Sequence, residues 1–348
     1  MGLASWLRER YPVDAQDLVN VTNEPVPNHL RHWWFCLGGT PAYLFLVQIL
    51  TGILLAFYYV PDPVQAYDSV RYITEEVRFG WYLRGIHKWG ATLMIAAVIL
   101  HQIRVFFTGG YRKPRELSWV IGMFVLGCTL MLGFTGYSLV YEQLSYWGAT
   151  VGANIMEQVP VVGSASAGLL RGGETVGRNT LTRLFILHEA VLPVVLMGLL
   201  VIHLALIRTQ GVSELRFEAD ASRPRRTFPF VPDHLLTEMI IGLTLLLILS
   251  ALACLVPVGM GPRANPLVTP EVIKPEWFFY FSFRWLKLFS GTFAVLSMGF
   301  LGMIMVLWPW FDASLRRRFR FQDLSVFVGA FVALAIIALT LWEALVTH

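Results

Sequence analysis

The chain has 348 residues, 56% of them apolar and only 14% charged, with a mean hydropathy of +0.59. Those values lie well outside the soluble globular range and place the protein in a lipid bilayer, with no nucleic-acid partner expected. The net charge of +4 says little as a sum, because in a membrane protein the distribution of charge carries the information.

The first 28 residues are polar and contain Pro12, Pro25 and Pro27, so no cleavable apolar leader is expected and residues 1–36 are read as a retained segment at one membrane face. Seven apolar runs follow, at 37–59, 86–107, 117–139, 184–207, 237–257, 289–311 and 324–345. Each approaches the roughly 20 residues that a helix needs to cross a bilayer. The stretch 61–82 is too charged to span, and 139–183 is long, Gly-rich and broken. Both are read as loops, the second with room for short surface helices. Residues 211–235, with Arg223-Pro224-Arg225-Arg226, have the composition of a linker. The expected fold is therefore all-α and polytopic: a four-helix bundle over 37–210 and three further spanning helices within 236–348.

With the amino terminus inside, the inside segments hold fifteen Lys and Arg residues and the outside loops hold ten. The positive-inside rule favours that orientation and puts the amino terminus on the n side. Cys36, Cys128 and Cys254 fall near one face, mid-bilayer and near the other face, so no disulfide is expected.

Most spans carry no ionisable side chain in their cores; the last meets Glu343 only near its end. The second and fourth differ, with His87 and His101 on one and His188 and His203 on the other. A single intramembrane histidine is most simply a packing residue, but ionisable groups there are costly and usually functional. His87 and His101 lie 14 apart, close to four turns and about 21 Å along a helix. His188 and His203 lie 15 apart. If the two helices run antiparallel, His87 meets His188 near the outside and His101 meets His203 near the inside. Each pair can give two axial imidazoles to one iron, which makes two stacked bis-histidine b haems. Gly38 and Gly52 in the first span and Gly122 and Gly136 in the third repeat the interval of 14 and leave room for flat rings. Arg84, Lys88, Arg104 and Arg208 sit near span ends, suited either to haem propionates or to lipid headgroups. Glu189, directly after His188, has no evident role.

Nearly the whole chain resembles the cytochrome b of Rieske/cytochrome b complexes. Residues 26–210 are similar to chloroplast-type cytochrome b6, in the FCLGG around Cys36, the TGGYRKPREL after the second span, GYSL after the third, and the LTR and IRTQG flanking the fourth. Residues 229–348 resemble subunit IV of the cytochrome bf complex, here joined to the first part in one chain. Pro275-Glu276-Trp277-Phe278 looks like the family's P-E-W-Y motif, with phenylalanine in place of tyrosine. The resemblance implies that Glu276 takes a proton from quinol as a general base. It further implies that Tyr137, Trp147, Gly148, Pro275, Trp277 and Phe278 line the pocket. Val140-Tyr141-Glu142-Gln143 departs from the family's P-W-D-Q.

Cys36 stands where the chloroplast type attaches a third, c-type haem by one thioether. An apolar cysteine at a helix end is the plainer alternative, and no C-x-x-C-H is present. The phenylalanine that covers that haem in subunit IV is Met239 here.

The implied activity is quinol:cytochrome c, or plastocyanin-like acceptor, oxidoreduction within a proton-translocating complex. The implied partners are a Rieske iron–sulfur protein, a cytochrome c-type or other high-potential acceptor, and a second copy of the complex. Fusion of the two halves points to a bacterial cytoplasmic membrane. A dihaem anchor for a dehydrogenase or hydrogenase would use the histidines but not Pro275-Glu276-Trp277, and a seven-span transporter would bind no haem.

Overall fold

The computed structural model describes Trp6, Glu9, Arg10 and residues 25–213, 227–319 and 324–346. The charged core of the expected linker, 214–226, falls outside the described residues. The long helices are α1 (Gly39–Ala56), α3 (Gly80–Phe107), α4 (Glu116–Leu139), α8 (Leu192–Gln210), α9 (Leu235–Leu255) and α13 (Leu324–Leu345). Shorter ones are α2 (Ala66–Glu75), α5 (Gln143–Glu157), α6 (Gly163–Arg171), α7 (Arg178–Ile186), α10 (Tyr280–Leu288), α11 (Gly291–Val306) and α12 (Trp308–Phe319).

Six helical stretches are long and apolar enough to cross a membrane, and a seventh crossing is reached by counting α11 and α12 as one bent pair. The expected span 289–311 is corrected here. α11 ends at Val306, and α12 turns away by 71°. Pro309 explains the break, since its ring and missing N–H disfavour helical continuation through Leu307 and Trp308. Beyond the bend α12 is polar, and its buried Asp312 pairs with Arg112 (3.0 Å) and Arg316 (3.1 Å).

The expected loop over 61–82 contains α2, whose buried residues Ala66, Ser69, Val70 and Ile73 recur at helical spacing. Ten residues of helix reach only about 15 Å, so α2 lies on the surface although its periodicity is sound. The broken stretch after α4 likewise folds into α5 and α6.

α1 packs along α3, α4 along α8, and α9 against both α3 and α1. Leu44, Ile86, Met94, Leu132, Leu196 and Leu249 meet in the bundle core between these helices. Contacts at both ends join the amino- and carboxyl-terminal parts. Pro25–Pro27 (β1) pairs antiparallel with Thr227–Pro229 (β2). At the opposite end Glu142 accepts the Gly261 N–H at 2.6 Å, and Arg263 pairs with Asp68. Arg263 holds the Asp68 carboxyl below the usual carboxylate range.

Candidate functional site: two histidine pairs and an ion pair

α3 carries His87 and His101 on one face, with α8 and the turn before it opposite. The ring centroids of His87 and His188 are 6.3 Å apart, and those of His101 and His203 are 6.5 Å apart. An iron bound by two imidazoles at roughly 2 Å each, with about 1.2 Å from nitrogen to ring centre, requires about 6.4 Å. Both pairs therefore fit one bis-imidazole iron apiece. Fifteen residues of unbroken α-helix would turn His188 and His203 about 60° apart. A π-helical turn at Leu187–Val191 absorbs one residue there and restores an effective interval of 14, that of His87 and His101.

Each of the four glycines faces one histidine. A Cβ on Gly38 would stand 3.4 Å from His101 Cε1, and one on Gly52 would stand 3.4 Å from His87 Cε1. For Gly122 and His203 the distance is 3.6 Å, and for Gly136 and His188 it is 2.6 Å. The missing side chains leave space beside the histidine rings.

Two threonines that sequence reasoning passed over orient the rings of one pair. Thr51 Oγ1 donates to the Val47 carbonyl (2.7 Å) and lies 2.9 Å from His87 Nδ1. Thr135 Oγ1 donates to the Met131 carbonyl (2.8 Å) and lies 3.0 Å from His188 Nδ1. With its proton committed, each hydroxyl accepts from the imidazole Nδ1–H, which leaves Nε2 free as a ligand. The signal was present as Thr-Gly at 51–52 and again at 135–136, whereas Gly38 and Gly122 follow leucine and isoleucine. If this pair holds a haem, Thr135→Val should weaken its retention about tenfold, as loss of an outer-shell partner does, and shift its midpoint in a redox titration.

Beyond this pair, at the same end of the bundle, the residues expected around quinol converge. Glu276 leads the short 3-10 turn Trp277–Phe279, and its carboxylate pairs with Lys88, the neighbour of His87. The Lys88 ammonium also lies 5.8 Å from the centre of the Tyr137 ring. Gly148 faces Tyr137, where a Cβ would come within 3.0 Å of Cε1. Trp147 has a buried indole N–H with no partner among the described residues. Phe278 is buried, and its ring tip lies against Gly133 of α4, so an apolar ring occupies space where a tyrosine hydroxyl would meet helix backbone. Trp277 packs edge-on against Phe278, at 5.6 Å between centroids. Burial pushes the nearby Tyr141 phenol up to about 12, so it stays protonated.

The cations divide. Arg84 donates to the Val258 (2.8 Å) and Gly259 (3.0 Å) carbonyls, tying α3 to the loop after α9, and Lys88 is committed to Glu276. Arg208 lies in the last turn of α8, at the end that carries His101 and His203, and Arg104 is buried near the same end of α3. Cys36 closes the turn Trp33–Cys36 two residues before Gly38, while its side chain falls outside the described residues. Met239 is 54% exposed. Glu189 sits half-buried in the π turn, and nothing in the structure explains it.

With this geometry in place, the comparisons with known proteins are consistent. The family described as Cytochrome b/b6/petB matches residues 21–211, and that described as Cytochrome b(C-terminal)/b6/petD matches 263–347. The cytochrome b6 of Heliomicrobium gestii is 47% identical over 209 residues, covering 60% of this chain and 98% of its own length. A cytochrome bc complex cytochrome b subunit of Chlorobaculum thiosulfatiphilum is 37% identical over 316 residues, covering 89% of this chain and 74% of its own. Among solved structures, a hyperthermophilic respiratory Complex III chain superposes with a TM-score of 0.81 at 27% identity, over 99% of this chain and 92% of that one. The paired histidines, the glycines facing them and both family matches agree: this chain belongs to the cytochrome b/b6 family, with a b6-like part and a subunit IV-like part in one polypeptide.

Proposed function

We propose that this chain, the cytochrome b subunit of a quinol-oxidising membrane complex, oxidises quinol at its His87–His188 end and passes electrons to the opposite face. The observation that carries the reading is the ion pair between Glu276 and Lys88, which joins a motif carboxylate to the residue beside a paired histidine. In this reading His87 and His188 hold one b haem and His101 and His203 the other. When bound, the two haems supply a one-electron relay across the bilayer.

Glu276 accepts the quinol proton on its carboxylate and in doing so releases Lys88, because a neutral carboxyl no longer holds the ammonium. Tyr137 and Gly148 wall the pocket, the free Trp147 N–H offers a donor to a quinol oxygen, and Phe278 against Gly133 keeps water from the apolar side. Pro275 and Trp277 set the approach of Glu276. Arg208 offers its charge to a propionate at the His101–His203 end, and at the His87–His188 end Arg84 does so only with the donors its two carbonyl bonds leave over.

The Arg-rich His101–His203 end is the n side, so protons leave at the Glu276 end and enter at the other. Residues 37–210 supply both haem sites, and 236–348 supply the Glu276 loop. Three scattered cysteines cannot ligate an iron–sulfur cluster, so a separate Rieske protein takes the other quinol electron and hands it to a cytochrome c-type or plastocyanin-like acceptor. The complex works as a homodimer in a bacterial cytoplasmic membrane.

The test is the reduced-minus-oxidised spectrum of the purified complex. A b-type alpha band that quinol reduces is expected, and its absence would remove the reading. A third haem, bound through one thioether at Cys36, is part of the same proposal. Cys36 leads directly toward Gly38, which faces His101. On a denaturing gel the chain should stain for haem, and Cys36→Ala should lose the stain while keeping the b-type band. A stain that survives the substitution, or never appears, defeats the thioether.

A further inference from the structure

Glu343 is fully buried near the carboxyl-terminal end of α13, and a carboxylate sealed from water is costly unless charges answer it. Among the described residues, the charges that answer it come from the helix that follows Glu276. Lys287 donates to Glu343 Oε1 at 2.8 Å, and Arg284 stands 3.7 Å from Oε2. Both lie on α10, three residues apart, and so share one of its faces. Arg284 also lies over the Trp342 ring, 3.8 Å from its centre.

On the other side of the motif, Lys274 Nζ donates to the backbone carbonyls of Glu343 (3.0 Å) and Val346 (2.7 Å). Carbonyls in a last turn lack intrahelical donors and form the negative end of the helix dipole, so an ammonium there is favoured twice. Lys274 immediately precedes Pro275-Glu276, and Arg284 and Lys287 follow the motif on α10. The end of α13 therefore grips the Glu276 segment before and after the motif, while Glu276 itself reaches across to Lys88 on α3.

We propose that the last turn of α13 is a clamp that positions Glu276 for quinol oxidation, with Lys274 and Glu343 as positioning residues. The proposal rests on Glu276 being the base. A base must stay within hydrogen-bond reach of the proton it takes, and a displacement of about 1 Å can cost roughly a hundredfold in rate. The loop after α9 is tied down over Val258–Arg263 by Arg84, Glu142 and Asp68, well before the motif, and the clamp holds the chain immediately before and after Glu276.

The experiment uses the whole purified complex carrying Lys274→Met or Glu343→Gln. Lys274→Met strands no buried charge, so it remains informative if Glu343→Gln, which strands Arg284 and Lys287, fails to assemble. The probe is decylubiquinol or 2,3-dimethyl-1,4-naphthoquinol, whichever the parent complex turns over faster. For Lys274→Met, kcat should fall about tenfold or more with KM changed less than twofold, and the b-haem band and midpoints should be unchanged. Amide exchange across 274–290 should quicken while α3 keeps its parent rates, and Lys274→Arg should restore at least half of kcat. A Lys274→Met complex with parent kcat, or with unaltered exchange in 274–290, overturns the clamp. Loss of its b-haem band would mark a general folding role and overturn it too. Glu276→Gln is run alongside: if it keeps full turnover, the base itself is wrong, whereas a slow Glu276→Gln beside a normal Lys274→Met sinks the clamp alone.

Discussion

His188→Leu is expected to remove one of the two b haems and with it quinol oxidation. The ring stands 6.3 Å from that of His87 and is oriented by Thr135, so leucine takes away both the proposed ligand and the group that Gly136 makes room for. Loss of a mere outer-shell partner costs about 10–100-fold in metal affinity, and loss of the ligand costs more. The b-type alpha band should fall to about half and the remaining haem should keep its midpoint, because the His101–His203 pair is a separate site. Turnover should drop by at least about a hundredfold, on the order of 3 kcal/mol in the barrier, since the second quinol electron has no acceptor beside the pocket. His32→Leu is the control; His32 is exposed outside the helices that hold the pairs, and both haems should remain. A full-amplitude band with normal turnover in His188→Leu would end the assignment of that pair.

Glu276→Gln should leave both haems spectroscopically intact and lower kcat by about 10²–10⁴, the usual worth of a general base. Glutamine keeps the shape of the side chain and cannot take the proton. The substitution also deprives Lys88 of its partner, so Lys88→Leu separates the two effects. If the carboxylate acts as base, Lys88→Leu retains turnover, and the double variant is as slow as Glu276→Gln alone. Were Lys88→Leu as slow as Glu276→Gln with Glu276 still in place, the ion pair rather than proton transfer would be the essential feature.

Much of this site could be read from the chain itself because bilayers are demanding solvents. A helix that crosses must be long and apolar, so the long spans stand out, and an ionisable residue inside one stands out further. His87, His101, His188 and His203 were visible for that reason; the 14-residue intervals of the glycines were legible as room for flat rings, but which histidine each glycine faces came only from the packed helices. The Pro275–Phe278 motif was legible as a resemblance. The ends of elements were less so, because a hydropathy window averages over a break: Pro309 bends the sixth crossing at a point where the run stays apolar.

What the amino-acid sequence determined by itself was the membrane class, the approximate spans and the identity of the paired histidines, all consequences of solvent and helical period. Tertiary structure alone decided how those parts meet. The interval of 15 between His188 and His203 works only because a π turn absorbs one residue, which no side-chain pattern announces. Lys88 finds Glu276 across 188 residues of sequence, and Glu343 finds Lys287 across 56. Periodicity reports which residues share a face of one helix, but a buried charge takes its partner from whichever element folding brings against it. The Glu276–Lys88 pair beside His87 and the grip of α13 on the Glu276 segment are therefore properties of the packed bundle, while the four histidines belong to the chain.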